Sequence, residues 1–242
     1  MDTRHEFLIV GGGLAGASAI EGIRERDRDR SILLLTSEPD LPYDRPPLTK
    51  DLWFKKKKVD EIFLHDARFY EERGVDVLLG RTAVAIDRAT KVVVDERGDR
   101  HSYRKLLLAT GGEPRHLDVP GGELAGLCHY RTLRDYRHVS AFANKGRSAL
   151  VIGGGFIGSE IAAALVSNGV AVTMLFPGRF LAQRVLPEPL ARSVAEKYDA
   201  HGVSIVTGDV PAAITENGSR YTTITRNDTK IEADVVVVGV GI

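Results

Sequence analysis

Hydrophobic positions follow the same series twice along the chain. A run of four apolar residues is followed by a glycine cluster and then by a stretch in which apolar residues recur at helical spacing. The first series occupies residues 7–23, and the second occupies residues 149–166. Continuous apolar runs of this length are typical of parallel strands covered on both faces. The pattern therefore predicts two α/β units, each of which begins with a strand, a glycine turn and a helix.

Each half is predicted to contain two further strands. One follows the helix, at residues 32–35 and 170–176, and one closes the half and ends in small residues, at 106–111 and 235–241. The segment 112–122, with two prolines and several glycines, breaks both periodicities and is interpreted as the crossing between halves. Two domains are therefore expected, with the bounds 1–115 and 116–242.

The glycine clusters indicate sites for a dinucleotide. In a strand-turn-helix crossing, the first glycine allows the tight turn, the second lets a pyrophosphate approach the backbone, and the third lets helix and strand pack closely. The helix N-terminus then faces the anion. Two such motifs, each in the required context, are stronger evidence than one. The predicted fold class is α/β with two Rossmann-like dinucleotide-binding domains, and the motif residues are Gly11, Gly13, Leu14, Ala15 and Gly16 in the first half and Gly153, Gly155, Phe156, Ile157 and Gly158 in the second.

The residues that would hold the ribose differ between the halves. The dinucleotide motif expects an acidic residue about 20 positions on, at the end of the second strand. The first half offers Ser37 and Glu38 there, although either residue could instead cap the following loop. The second half offers Arg179 and no acidic residue. An arginine could accept the 2′-phosphate of NADPH or could be an ordinary surface residue, so NADH and NADPH both stay open.

Composition and charge narrow the class of protein. Lys plus Arg and Asp plus Glu each number 33 in the 242 residues, so no overall field favours nucleic acid or an anionic membrane. Cys128 is the only cysteine, which excludes an internal disulfide or redox dithiol. With no predicted leader, membrane span or metal site, a cytoplasmic protein is expected. The lysine run 55–58 is interpreted as a solvated surface rather than as a docking site for an acidic partner.

Three segments carry a resemblance to a known family. They are the stretches LPYDRPPLTK at 41–50, ATGGEPR at 109–115 and GGGFIGSE at 153–160. The chain resembles the FAD-dependent pyridine nucleotide-disulfide oxidoreductase superfamily in its ferredoxin reductase and apoptosis-inducing-factor branch. DLWF at 51–54 and LFP at 175–177 are similar to apoptosis-inducing factor in particular.

The resemblance implies an FAD-binding domain at 1–115 and an NAD(P)H-binding domain at 116–242. It implies that the first glycine turn binds the FAD pyrophosphate, Ser37 or Glu38 the ribose and the backbone of Ala83 the adenine. The other residues implied on the flavin side are Arg45, Lys50, Ala109, Thr110, Gly111 and Arg131. The second glycine turn, Glu160, Arg179 and Gly241 are implied to contact NAD(P)H.

The implied catalytic residues are Lys50 and Glu160. By resemblance, Lys50 lies beside the flavin ring and pairs with Glu160, while Phe156 covers the ring until nicotinamide displaces it. A cation near the flavin stabilises the anionic reduced ring, and the glutamate orients that cation. From the residues alone, Lys50 could equally be a surface lysine and Glu160 a first-turn acid favoured by the helix dipole.

Three functions are consistent with these motifs and with the resemblance. The first is an oxidoreductase that passes hydride from NAD(P)H to FAD and then electrons to a ferredoxin-like protein, a quinone or oxygen. The absence of a second cysteine makes thiol chemistry an unfavourable alternative. The second is a redox-dependent signalling or binding protein of apoptosis-inducing-factor type, and the third is a chain that only binds NAD(P)H.

The resemblance also implies that segments present in other family members are absent from this chain. Family chains continue past the residues that match Gly241 and Ile242, return to the FAD domain with a Gly-Asp segment that contacts the flavin, and add an interface domain. The first domain is therefore expected to be incomplete, and FAD binding by this chain is expected to be weak or absent.

Overall fold

The structure is a computed structural model that describes residues 4–242. The chain divides into two compact units. The first contains residues 4–44 and 58–112, and the second contains residues 45–57 and 113–242. In the described part of the chain, no helix is both long enough and apolar enough to cross a membrane.

The first unit contains one six-stranded sheet in the order β3-β2-β1-β6-β5-β4. Strands β3, β2, β1 and β6 are parallel, and β4 and β5 continue the sheet as an antiparallel hairpin. Its elements are β1 (Arg4–Val10), α1 (Leu14–Arg26), β2 (Ile32–Leu35), a 3-10 helix (Val59–Ile62), α2 (Ala67–Glu72), β3 (Val75–Leu78), β4 (Ala83–Asp87), β5 (Val92–Asp95) and β6 (Arg100–Leu108).

Both faces of this sheet are covered near its centre. All four residues of β2 are buried, as the continuous apolar run predicted. On one face Leu8 and Leu33 pack with Val93, and on the other face Ile9 and Leu34 pack with the helices. Alternate residues of one strand therefore pack into two separate hydrophobic cores, one on each face of the sheet.

The edge of β6 is only partly paired. β5 pairs with β6 over Arg100–Ser102, and the last bond on that side runs from the Tyr103 N–H to Lys91. Beyond Tyr103, β6 pairs with β1 alone among residues 4–242. Leu107 and Leu108 are exposed in this part of the strand. The first sheet thus presents an open, apolar edge at its carboxyl end.

The second unit contains two sheets. A parallel sheet has the order β13-β7-β8-β9, and an antiparallel sheet has the order β10-β11-β12. The elements are a 3-10 helix (Pro46–Thr49), α3 (Leu133–Phe142), β7 (Ser148–Ile152), α4 (Phe156–Ser167), β8 (Ala171–Phe176), α5 (Glu188–Ala200), β9 (Val203–Thr207), β10 (Pro211–Asn217), β11 (Arg220–Thr225), β12 (Lys230–Ala233) and β13 (Val235–Val238). The two sheets share a core in which Leu150, Leu175 and Val236 pack with Ile214 and Tyr221.

The predicted fold class is confirmed, because both units contain a parallel sheet of Rossmann type. The structure differs from the sequence prediction at residues 45–57, which lie in the second unit. The 3-10 helix of this segment packs against α3 and α4, and the indole of Trp53 is buried there. The burial of this large ring explains why residues 45–57 pack with the second unit, although the residues before and after them in the chain belong to the first.

A buried carboxylate fixes the turn between β5 and β6. Asp95 is bonded by Arg81 and His101 and by the backbone N–H groups of Arg97 and Asp99, and its side chain is fully buried. Burial raises the pKa of Asp95, but the hydrogen bonds from His101, the two backbone groups and Arg81 outweigh burial, so the pKa lies below its ordinary value. The carboxylate is therefore stabilised in its charged form.

Replacement of Asp95 by asparagine should lower the free energy of unfolding by about 2–4 kcal/mol, because Arg81 keeps its charge and loses a buried partner. The pKa of Asp95 is lower in the folded protein than in the unfolded chain, where it is about 3.9. The stabilisation is therefore fully present above the unfolded-chain pKa and is lost as the pH falls through the folded-state pKa. Urea unfolding followed by circular dichroism measures both effects. Asp99→Asn is the matched control, because Asp99 binds the same Arg81 but is 63% exposed. Equal losses in the two variants would contradict the assignment.

Candidate functional site

The first glycine turn follows β1 and is crowded at two of its three motif positions. Gly11 has φ +121°, and a Cβ there would clash with the carbonyl group of Ala109. A Cβ on Gly16 would clash with the carbonyl oxygen of Gly11. Gly13 differs, since no described atom beyond its chain neighbours lies within 4 Å of a Cβ placed there. The turn is thus tight on its inner side and open at Gly13.

The second glycine turn, after β7, repeats this arrangement. Gly153 has φ +123° and lies against the carbonyl group of Gly239, and Gly158 lies against the carbonyl oxygen of Gly153. The space around Gly155 is open, as it is at Gly13. Both turns therefore leave free space at the position where a phosphate would approach the backbone.

The helices that follow the turns have no side-chain caps. α1 begins after Gly13 and α4 begins after Gly155, and neither glycine has a side chain that could bond the first free N–H groups. Leu14 and Phe156, the first helical residues, are 61% and 66% exposed, and Ala15 and Ile157 after them are also exposed. An anion with an attached ring system fits such an end, because it supplies bond acceptors and covers the apolar side chains.

The other candidate residues of the first unit follow the carboxyl ends of its strands. Ser37 and Glu38 come after β2, and Thr110 and Gly111 come after β6. Ser37, Thr110 and Gly111 are exposed, whereas the Glu38 carboxylate accepts a hydrogen bond from the hydroxyl of Tyr43. Since parallel strands end at one edge of the sheet, these residues lie on the same side as the first glycine turn. Ala83 is not part of this group and opens β4.

Lys50 and Glu160 form an ion pair in the second unit. The Lys50 Nζ lies 2.9 Å from the Glu160 Oε1, and the Thr49 hydroxyl donates to the other carboxylate oxygen at 2.5 Å. Glu160 lies near the start of α4, directly after the second glycine turn, and is 28% exposed, while Lys50 is 53% exposed. The carboxylate is thus held from two sides, and the ammonium keeps free N–H groups facing solvent.

A buried network holds the segment that carries Lys50. The indole N–H of Trp53 lies 2.8 Å from both the Leu48 carbonyl oxygen and the Tyr130 hydroxyl oxygen. The Tyr130 hydroxyl itself donates to the same carbonyl at 2.6 Å. Burial raises the pKa of Tyr130 far above its usual range, so the hydroxyl stays protonated as a donor. This network restrains the backbone two residues before Lys50.

The ion pair borders a cavity of about 300 Å³ within the second unit. Phe156 and Gly241 line it together with two arginines, Arg45 and Arg131. Arg45 donates to the backbone carbonyl of Arg131 at 2.6 Å, which fixes one guanidinium beside the other residue. The cavity thus combines an exposed aromatic ring, an ammonium and two guanidinium groups. Such a site suits a planar, anionic ligand.

Arg179 is not part of this cavity. It follows β8, and its backbone N–H donates to the Gln183 side chain at 2.9 Å. Its guanidinium is exposed and lies 5.6 Å from the centre of the Phe180 ring. The structure therefore separates Arg179 from the Lys50 and Glu160 pair and leaves it at the carboxyl end of the second strand of this sheet.

The sequence analysis missed several residues of the cavity. Thr49 precedes Lys50 in a stretch that carried the family resemblance, so its role could have been suspected. Tyr130 and His129 gave no such signal, whereas Trp53, which holds the Lys50 segment without lining the cavity, lies in the stretch 51–54 that also carried the resemblance. His129 lines the cavity beside His116, and burial followed by this neighbour lowers its pKa, which favours the neutral ring.

Comparison with known proteins identifies the family. Residues 5–242 match the pyridine nucleotide-disulphide oxidoreductase family, and the chain belongs to that family. The resemblance drawn from the sequence motifs is thereby confirmed. The family and its ferredoxin reductases use FAD and NAD(P)H.

Curated relatives come from both groups suggested by the motifs. The ferredoxin–NAD(+) reductase component of the anthranilate 1,2-dioxygenase system of Burkholderia cepacia is 37% identical over 98% of this chain and 58% of the relative. Mitochondrial apoptosis-inducing factor 1 of Dictyostelium discoideum is 32% identical over 98% of this chain and 48% of the relative. The chain therefore spans about half of the length of these proteins.

Solved structures show the same extent of similarity. A putidaredoxin reductase, in a covalent complex with putidaredoxin, matches with a TM-score of 0.90 and 28% identity over 98% of this chain and 58% of that one. The ferredoxin reductase for the CYP199A2 system of Rhodopseudomonas palustris matches with a TM-score of 0.88 and 28% identity over 98% of this chain and 59% of that one.

Cys128 should be chemically inert in the folded protein. It is 4% exposed, and burial, followed by the charge of Asp135, raises the pKa of its thiol to about 12. At pH 8 roughly one thiol in 10,000 is then ionised, and thiolate is the reactive form. A chromogenic thiol reagent should label the native chain very slowly and should label one site at once in urea. Native labelling as fast as that of free cysteine would contradict this prediction.

Proposed function

We propose that this chain supplies the two nucleotide-binding units of a flavoprotein oxidoreductase that takes hydride from NAD(P)H onto FAD and passes electrons to an external acceptor. The observation that carries the proposal is the Lys50–Glu160 ion pair, which lies directly after the second glycine turn. A surface ion pair alone is common, but this one borders a cavity that also presents Phe156 and two arginines.

The first unit is proposed to bind FAD, and the second to bind NAD(P)H. The fit of a dinucleotide to each is supported by the open space at Gly13 and Gly155 and by the uncapped helices that follow. In the first unit, Ser37 and Glu38 follow the second strand, where ribose hydroxyls are bound in this fold. Since the Glu38 carboxylate already accepts from Tyr43, the Tyr43 hydroxyl restrains its orientation.

The side chains of the Lys50 cavity have distinct proposed roles. When bound, FAD supplies the two-electron chemistry that accepts hydride and releases electrons to a later acceptor. Lys50 provides a positive charge for the electron-rich reduced ring, and Glu160 holds that ammonium in place. Phe156 covers apolar ring surface and excludes water, which strengthens the charge interactions around it. Lys50 and Glu160 are accordingly the proposed catalytic residues.

The proposed acceptor is a ferredoxin-like protein, with a quinone or oxygen as alternatives. Support comes from the names of the relatives, which include a ferredoxin–NAD(+) reductase component and a rubredoxin-NAD(+) reductase. A solved neighbour was captured together with putidaredoxin. Because Cys128 is buried and is the only cysteine, the acceptor is not a dithiol of this chain.

A signalling or binding role of the apoptosis-inducing-factor type is the second candidate, favoured by the Dictyostelium relative. The two functions differ in the lifetime of the reduced protein. A signalling protein should keep a long-lived reduced complex with the nucleotide in air, whereas a reductase should reoxidise once its acceptor is added.

The main proposal is tested by the visible spectrum of the complete protein supplied with FAD, before and after NADH and NADPH are added in turn. Flavin bands that bleach with at least one nucleotide, and steady-state reduction of a dye, are the expected results. A protein that holds FAD but is reduced by neither nucleotide would contradict the proposal.

Lys50→Met and Glu160→Gln should each slow reduction of the flavin by NAD(P)H by about tenfold or more, because charge placed at the reacting ring is lost. The same changes should alter the free energy of unfolding by less than about 1 kcal/mol, since the pair is partly exposed. Stopped-flow absorbance measures the rate. Lys56→Met is the control, because Lys56 is an exposed lysine of the same segment. Rates equal to this control would remove Lys50 and Glu160 from the mechanism.

A further inference from the structure

A second cavity lies at the carboxyl ends of β7 and β8 in the second unit. It has a volume of about 270 Å³ and adjoins Gly153, the first glycine of the second turn. Its walls are almost entirely apolar and include Ile152, Phe176, Pro177 and Val240. An apolar cavity beside a phosphate-binding turn can take the base of a nucleotide, because the ring loses contact with water there.

Arg226 is the one charged residue among those that line this cavity. It follows β11, outside the segments in which a dinucleotide motif would be sought. Its side chain is exposed, and within residues 4–242 the guanidinium has no ion pair or hydrogen bond. A guanidinium that has no partner, on a residue that lines an apolar cavity, can receive an anion without first breaking another bond.

The backbone that carries Arg226 is firmly held. Its N–H donates to the Val210 carbonyl oxygen at 3.0 Å. The carboxylate of Asp209, which is 4% exposed, accepts a hydrogen bond from the backbone N–H of Val210 at 2.8 Å. Burial raises the pKa of Asp209, but hydrogen bonding with Thr225, Val210, Asn227 and Arg226 outweighs burial, so the pKa lies below its ordinary value. Asp209 is therefore hydrogen-bonded to the turn that carries Arg226 and restrains its backbone.

No carboxylate follows β8. The residues after this strand are Pro177, Gly178 and Arg179, and the next acidic residue along the chain is Glu188. A carboxylate at this position would accept bonds from the ribose hydroxyls of NADH and would repel a 2′-phosphate. Arg179, whose guanidinium also has no ion pair among the described residues, adds a second positive charge at the same strand end.

We propose that Arg226 binds the 2′-phosphate of NADPH and that the second unit thereby selects NADPH over NADH. This inference rests on the proposed function, since it assumes that the second glycine turn binds a nicotinamide dinucleotide. The planar guanidinium can donate two parallel hydrogen bonds to a phosphate, which gives both affinity and geometric specificity. Arg179 is the supporting cation, and the apolar cavity takes the adenine.

The test is calorimetric binding of NADPH and NADH to this chain at about 0.15 M salt, where nonspecific attraction is screened. NADPH should bind at least about tenfold more tightly than NADH. Arg226→Gln should reduce that ratio to near one while leaving the NADH affinity unchanged, and the unchanged NADH affinity shows that the variant is folded. Arg226→Lys should restore only part of the ratio, because an ammonium lacks the paired donors.

Two controls localise the effect. Arg220→Gln removes an arginine at the other end of β11, where it lies 3.6 Å from Asp234, and should leave the ratio intact. The pair 2′,5′-ADP and 5′-AMP, which differ only by the 2′-phosphate, should show the same preference as the dinucleotides and the same loss in Arg226→Gln.

The possible outcomes distinguish failure of this inference from failure of the proposed function. If NADPH and NADH bind equally well, the selectivity is wrong and the nucleotide-binding function stands. If neither binds, the proposed role of the second unit fails together with the inference. If Arg179→Gln abolishes the preference and Arg226→Gln does not, the 2′-phosphate site belongs to Arg179 and the assignment to Arg226 is wrong.

Discussion

Close contact between a helix start and the end of the preceding strand is the constraint on which both units depend. Gly16 touches the carbonyl oxygen of Gly11, and Gly158 touches that of Gly153, in positions that no larger residue could occupy. This contact places the first free N–H groups of each helix at the carboxyl edge of its sheet. The residues that follow the neighbouring parallel strands lie at the same edge, so this backbone contact brings them near the glycine turn of their unit.

In the second unit, a segment from an earlier part of the chain, residues 45–57, packs with the residues of the later part. The 3-10 helix Pro46–Thr49 packs on α3 and α4, and the buried ring of Trp53 lies against Tyr136 of α3 with the ring centres 5.5 Å apart. The Trp53 N–H reaches both Leu48 and Tyr130. The burial of one large ring brings Lys50 against Glu160, although the two are 110 positions apart. Both residues of the ion pair therefore depend on packing that is strongly apolar and carries no charge.

Much of the fold could be predicted from the sequence, because its central strands are continuous apolar runs. β2, for example, was predicted with the bounds that the structure shows. The antiparallel sheet was not predicted. Its strand β11 buries Thr223 and Thr225 on one face, and a period of two formed by threonine does not stand out as hydrophobic. The sequence pattern therefore identified the central parallel strands and overlooked the outer parallel strands β3 and β9 as well as the half-polar antiparallel sheet.

The site was predictable only where a motif marks it. The glycine turns have a local signature, because the motif glycines stand at short, fixed spacing between a strand and a helix. The partnership of Lys50 with Glu160 came from family resemblance, and nothing in spacing or composition would have indicated it. Arg226 had no signal of either kind, since it follows β11, far along the chain from Gly153, and only the fold brings the two residues to one cavity.

The two units also show how one backbone motif can carry opposite charges beside it. Their glycine turns have nearly the same φ values, +121° and +123°, and the same pattern of crowded and open positions. The difference lies at the end of the second strand, where the first unit places the carboxylate of Glu38 and the second places Arg179. A carboxylate favours neutral hydroxyl groups and an arginine favours a phosphate, so the charge at this strand end contributes to the choice of ligand proposed for each unit. Backbone geometry provides the space for a dinucleotide, and the charged side chains around that space, at the strand end and at Arg226, are proposed to select which one.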